Sequence, residues 1–313
     1  MTDRTVTHPK VFPPQLQDNP AARNEISTTE LTIPRSRIAS VVWHVLDLAG
    51  KVERPVFVDI HNVPTQGPFL LVGNHQLFAL QDVPYLVRGL RVLRGVRIRG
   101  MTDTFQFTVP VWRSWMAGSG GVPGTRENCA ALLAAGEPVL VFPGGAREVY
   151  KRRDQRYQLL WGKRTGFARM AIAAGCPIIP FGAVGAEDRY HVLLDTDQRV
   201  TAPVRVAIHR LAGRDDVGTL LVRGTGPLGI PGTHRLYFQF GAPIPTTPWA
   251  GRADEHEALT ECRDLVKREI ETQIAHLLAL RDSDPHRALL PRAVDAVRTA
   301  LPLRPANNGG RDD

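Results

Sequence analysis

Between Val56 and Gly185 short runs of valine, isoleucine and leucine recur, and helical stretches separate most of them. VFVDIHNVP at 56–64 reads as a strand, and PFLLVGNH at 68–75 as a buried strand that ends in a loop. Residues 82–93 suit a helix, and VRIRGM at 96–101 another strand. Residues 125–136 form a helix stopped by Gly136, followed by PVLVFPGG at 138–145, a strand and a glycine turn. A helix over 164–175 ends at Gly175, and CPIIPFGAVG follows as a strand. Strands buried on both faces and joined through helices read in this way, so the alternation predicts an α/β fold, a mostly parallel sheet flanked by helices in a single domain. HRLYFQFGAPI at 234–244 alternates like an outer strand, and 253–281 gives a long, charge-rich helix.

The ends differ from this middle. Residues 1–33 are polar and carry prolines, which predicts a mobile arm, and no apolar stretch of a secretory signal stands there. SRIASVVWHVLDLAG at 36–50 has a broad apolar face and Gly50 as a stop, which predicts an amphipathic helix over 34–50. It docks on the domain or lies on lipid, and it lacks the lysine-rich polar face usual for the second role. The main domain is placed at 52–250. A C-terminal helix and a tail fraying from about Asp282 to NNGGRDD occupy 251–313. No run approaches the roughly 18 to 20 apolar residues of a spanning helix. Contact with a membrane would therefore be peripheral, and a cytoplasmic protein on the inner face is the expectation. Three distant cysteines, Cys129, Cys176 and Cys262, support neither a disulfide framework nor a zinc site. The net charge of +8 favours anionic surfaces without choosing among them.

Four places carry chemistry. Asn74-His75 follows the buried strand PFLLV, and loops after parallel strands are where such sheets place ligands. A histidine there can take a proton from an alcohol near neutral pH. In VLVFPGGAREV, Phe142-Pro143 closes the strand and Gly144-Gly145 turns it, with Arg147 and Glu148 at the mouth. This is a plain turn with a surface ion pair, or a set of backbone N–H groups able to bind an oxyanion. GVPGTREN at 121–128 is a turn into a helix with Thr125 as N-cap. Arg126 in its first turn suits an anionic ligand or an acidic neighbour. PIIPFG at 177–182 is a strand whose prolines suit its ends.

In this order the four places resemble the motif blocks of the glycerolipid acyltransferase superfamily. FPGGAREVYKRRDQRYQLLWGKRTGFARMAIAAGCPIIPFGAVGAED and the later FQFGAPI resemble more narrowly its diacylglycerol acyltransferase and phytyl ester synthase subgroup. The resemblance covers about residues 52–246. It implies His75 as catalytic base, oriented by a following acid. Asp82 is the nearest, seven positions on, about 10 Å along a continuous helix. It can serve only if residues 76–79 loop; Glu148 or a backbone carbonyl is the alternative. Phosphate-acceptor members read FPEGTR, so Gly144 in place of their glutamate favours a neutral acceptor such as diacylglycerol or a long-chain alcohol. Arg126 and Arg147 then serve the donor's phosphates or hold the loop, and the resemblance implies substrate contacts from Asn74, Arg126, Phe142, Pro143, Gly144, Gly145, Arg147 and Glu148.

The implied reaction is direct transfer from an acyl thioester, on coenzyme A or acyl carrier protein, to a lipid-like alcohol at a membrane surface. No covalent acyl-enzyme, metal or further cofactor is implied, and AGSGG at 117–121 lacks the first glycine of a nucleophile elbow. A lysophospholipid or glycerol-phosphate acyltransferase is the enzyme alternative, and a non-catalytic lipid-binding protein the other. Nucleic acid is disfavoured because basic residues do not interleave with aromatics. The lone GxGxxG at Gly224–Gly229 contains Pro227 and opens no helix.

Overall fold

The structure, a computed structural model, describes residues 33–76, 81–107, 110–195, 219–224 and 233–292, with Pro203, Val206 and Val294. The N-terminal arm up to Thr32, the glycine motif beyond Gly224 and the NNGGRDD end lie outside the described residues. In chain order the helices are α1 Arg37–Glu53, α2 Asp82–Arg94, α3 Pro110–Gly118, α4 Arg126–Ala134, α5 Ala146–Val149, α6 Gly166–Ala174 and α7 His256–Ser283. The strands are β1 Val56–Val58, β2 Leu70–Gly73, β3 Arg99–Thr102, β4 Gly121–Pro123, β5 Val139–Val141, β6 Ile178–Val184, β7 Tyr190–Asp195, β8 Thr219–Gly224 and β9 Tyr237–Phe240.

Seven strands form one sheet in the order β1-β9-β6-β2-β5-β3-β4, and β7 and β8 pair separately. Every neighbouring pair in the large sheet is parallel except β6 with β9. Strand side chains alternate between two faces. Leu70, Val72, Val139 and Ile178 face a layer that includes Leu132 of α4, Phe167 of α6 and Val266 of α7. Leu71, Leu140 and Ile179 face the other way, toward Leu86 and Leu90 of α2 and Leu46 of α1. Both faces are covered, which is why these strands read as unbroken apolar runs.

Several expectations change. HRLYFQFGAPI does not give an outer strand: β9 lies between β1 and β6, with Tyr237, Phe238 and Phe240 buried. Helix α1 passes Gly50, which packs against the Arg88 guanidinium, and ends at Glu53 with Arg54 in the left-handed conformation. Pro180 falls inside β6 rather than at its end. Its missing N–H is tolerated because pairing with β9 begins only at Phe181↔Phe240, while Ile178 bonds Ile244. Helix α7 is no appendage. It buries Leu259, Val266, Ile270 and Leu277 in the main core. The chain after it is fastened as well, since Asp284 accepts from the Tyr237 hydroxyl at 2.6 Å and Arg292 is buried.

Candidate active site

The register of β2 on β5, Leu70↔Val139 through Val72↔Val141, carries Gly73-Asn74-His75 and Phe142–Gly145 out of the same edge of the sheet side by side. Their side chains then diverge in purpose. Asn74 turns inward and is buried. Its amide donates to Ala183 O at 2.9 Å and accepts from Ala183 N at 2.8 Å, which ties the end of β2 to β6. Gln76 does the same one step on, accepting from Ala186 N at 2.8 Å. With both neighbours held, His75 is left facing a cavity.

That cavity has a volume of about 470 Å³, within the usual range for a small-molecule site. His75, Phe142 and Gly145 line one part of it. Trp43 and Leu46 of α1, Val87 of α2, and Trp112, Trp115 and Met116 of α3 line the rest. The His75 ring lies flat on Phe142, centroids 3.9 Å apart and planes 7° from parallel. Its Nδ1 is buried with no hydrogen-bond partner. Burial, and secondarily the nearby Lys151 charge, push the imidazole down to about 3, so the ring is neutral and able to accept a proton.

Asp82 does not bond this ring. Its Oδ2 accepts from Gln76 N at 3.4 Å, and its Oδ1 is buried without a partner. Burial pushes the Asp82 acid up to about 6 against the pull of backbone N–H groups. Glu148 is also absent from the ring, and it makes no surface ion pair with Arg147. It is fully buried, accepts from His75 N at 2.7 Å and Leu160 N at 2.8 Å, and is raised by burial to about 7. Gly145, at φ 54° and ψ −139°, opens the short helix α5, and its own N–H closes the turn on Phe142 O at 3.0 Å. That N–H is therefore not free for an oxyanion. Pro143 and Gly144 are buried. Their carbonyls accept from Arg164 Nη1 at 3.0 and 2.5 Å. Arg126 and Arg147 are exposed and outside the cavity wall.

These pKa directions have opposite consequences for stability. The His75 value lies below its unfolded value near 6.5. Its contribution is therefore complete above pH 6.5 and lost as pH falls toward 3. Asp82 and Glu148 are raised, so theirs are complete at low pH and lost as pH rises through about 6 and 7. The stability gap between wild type and His75→Ala should thus shrink as pH is lowered from 6.5, by at most about 1.4 kcal/mol per pH unit. Denaturant unfolding of both proteins across pH 4.5–7 measures it, and a gap that widens instead contradicts a depressed His75.

Sequence reasoning missed Gln76, Arg164 and the buried pair Lys151–Glu187, 2.7 Å apart. It also missed the aromatic wall, although Trp112, Trp115 and Met116 recur at helical spacing on α3. Residues 54–184, which run from β1 to β6 and include His75 and the Phe142–Gly145 turn, match the family model described as Acyltransferase. These residues form an acyltransferase-family domain. The acyltransferase domain and its flanks are 31% identical over 253 residues to phytyl ester synthase 2 of Arabidopsis thaliana, covering 74% of this chain and 35% of that protein. Over 141 residues the chain is 30% identical to the Bos taurus "DGAT1/2-independent enzyme synthesizing storage lipids", covering 45% of this chain and 39% of that one. It spans little more than a third of either relative. The solved 1-acyl-sn-glycerophosphate acyltransferase PlsC of Thermotoga maritima aligns with TM-score 0.44 at 18% identity, covering 75% of this chain and 78% of that one.

Proposed function

We propose that the protein transfers a fatty acyl group from a thioester, on coenzyme A or acyl carrier protein, to a neutral lipid-like alcohol, with His75 as general base. One observation carries the choice of acceptor. Among the described residues, the wall of the cavity that His75 faces has no lysine or arginine, and Asp103 is its only carboxylate. A phosphate buried there would meet no compensating charge. Arg126 and Arg147, the arginines that the sequence offered to an anionic ligand, stand outside it. The names of the two plant and animal relatives, a phytyl ester synthase and a storage-lipid enzyme, agree with a neutral ester product.

In this reading the acceptor O–H gives its proton to His75 as its oxygen attacks the thioester carbonyl. The C–S bond breaks, and the imidazolium returns the proton to the leaving thiolate. Because Nδ1 is enclosed, the proton passes at Nε2. A ring at about 3 before substrate arrives is a weak base, and the developing thiolate and tetrahedral anion are what favour the imidazolium during the reaction. Asp82, buried nearby with a free carboxylate oxygen, is the acid available to support that charge.

The same reading places the protein peripherally on a membrane. Among the described residues no helix is long and apolar enough to cross one. Val41, Val45, Leu48 and Val52 of α1 and Val111 of α3 are instead exposed, on the two helices whose other residues wall the cavity. Such a face suits the headgroup boundary of a bilayer. Purified protein supplied with an acyl-CoA and a panel of diacylglycerol, phytol, long-chain alcohols and lysophosphatidate, read by product mass, tests the assignment. Esters of the neutral alcohols are expected. Preference for lysophosphatidate would transfer the reading to the phosphate-acceptor class.

A further inference from the structure

Among the described residues, two contacts reach His75 itself, one at the ring and one at the main chain, and both come from one segment. Nothing bonds its Nδ1, so its direction depends on the Phe142 ring beneath it and on where its own main chain is held. The Asn74 and Gln76 side chains anchor that main chain on either side, and Glu148 holds it at His75 itself, its Oε2 taking the His75 N–H at 2.7 Å. Residues 142–148 therefore grip the base at two points, ring and backbone. The grip is anchored at a third, because Glu148 Oε1 takes the Leu160 N–H at 2.8 Å. Two short bonds to main-chain donors from separate segments leave the carboxylate little freedom.

The path of this side chain explains the glycine before it. A Cβ at position 144 would lie 2.1 Å from Glu148 Cδ and 2.3 Å from its Cγ. The carboxylate thus fills the space that a side chain at 144 would need. Glycine at 144 and glutamate at 148 are a matched pair. Burial raises the Glu148 acid to about 7, and the buried Lys151 ammonium, paired with Glu187 at 2.7 Å, pulls the other way, toward the carboxylate whose two oxygens accept these bonds.

We propose, resting on the acyl-transfer reading above, that Glu148 is a positioning residue. Its carboxylate passes over Gly144 to lock the His75 main chain to the Phe142–Gly145 turn, so that base and turn keep a fixed spacing across the cavity. It touches neither substrate nor the reacting nitrogen. Glutamine at 148 offers one oxygen to two N–H groups and sets its NH2 against the other. Alanine at 144 leaves Glu148 chemically intact and displaces it sterically.

The experiment compares Glu148→Gln, Gly144→Ala and the double variant with wild type, each confirmed folded by near-ultraviolet circular dichroism. Turnover is read with an acyl-CoA and a neutral alcohol, and the His75 ring is observed by NMR on histidine-labelled protein. Each single variant should lower kcat by roughly 10²-fold, the effect of misplacing a catalytic group by about 1 Å, with KM within about threefold. The double should be no worse than the poorer single, since both changes displace one carboxylate. The His75 resonances should move in all three. Multiplying losses, unchanged kcat in either folded single variant, or unmoved His75 resonances would overturn the proposal. Should Glu148→Gln fail to fold, Gly144→Ala decides it by the same readings. If even the wild type acylates no alcohol, the NMR arm still decides: moved resonances uphold the positioning and refute only the acyl-transfer reading, and unmoved ones refute the positioning.

Discussion

His75→Ala should lower acyl transfer to neutral alcohols by roughly 10²–10⁴-fold, the range a positioned general base supplies. No other described wall residue can replace it. Among the described residues, Asp103 and Tyr150 are the remaining ionisable side chains of the cavity, and neither stands in the strand-end loop that meets the Phe142–Gly145 turn. The variant should still fold. The ring is half-buried, and its stacking on Phe142 is worth about 0.5–1.5 kcal/mol. Substrate binding, measured as retention of a non-transferable acyl-CoA analogue, should persist, because the slot is shaped by the tryptophans of α1 and α3. Wild-type turnover in this variant would remove the mechanism, while loss of turnover together with loss of the fold would assign His75 to packing.

Lys151→Ala is the substitution expected to destabilise most. Lys151 and Glu187 are each about 2% exposed and 2.7 Å apart. Removing the ammonium strands the buried Glu187 carboxylate, which among the described residues retains only the Tyr157 N–H at 2.7 Å. A buried pair broken on one side loses about 3–5 kcal/mol. For a chain of this size that lowers the melting temperature by about 10 °C. The double variant Lys151→Met with Glu187→Gln, which leaves no unpaired charge, should recover much of the loss. Thermal unfolding of the wild type and both variants measures it. Equal destabilisation of the single and the double would mean that packing around the lysine stem, rather than charge, is what matters.

The rhythm of strands and helices was legible because its cause is local: strands covered on both faces must be apolar throughout, and Gly136 and Gly175 end their helices. His75 and the Phe142–Gly145 turn were legible as neighbours because parallel strands bring their ends to one edge. The partners of those groups were not. Glu148 was assignable to a surface ion pair, a ring contact or a substrate contact, and only the fold shows it reaching backward over Gly144 to a main-chain N–H. Pairs such as Asn74 with Ala183, and Lys151 with Glu187, join residues 109 and 36 positions apart. No periodicity reports such distances. The position of β9 was misread for a related reason. Alternation marks a half-covered strand only when one face meets water, and α7 covers the face that β9 was expected to expose.

The chain leaves β2, builds α2, β3, α3, β4 and α4, and returns to β5 directly beside its starting point. His75, the proposed base, hangs from β2 and the Phe142–Gly145 turn from β5, whereas much of the apolar chamber hangs from the excursion between them and from α1. Residues 103–118 can therefore lengthen, shorten or exchange aromatics without moving the reacting atoms. A graft of that stretch from a relative should transplant the choice of chain or alcohol and keep the chemistry. Diversification within such a lineage has a ready-made place to happen.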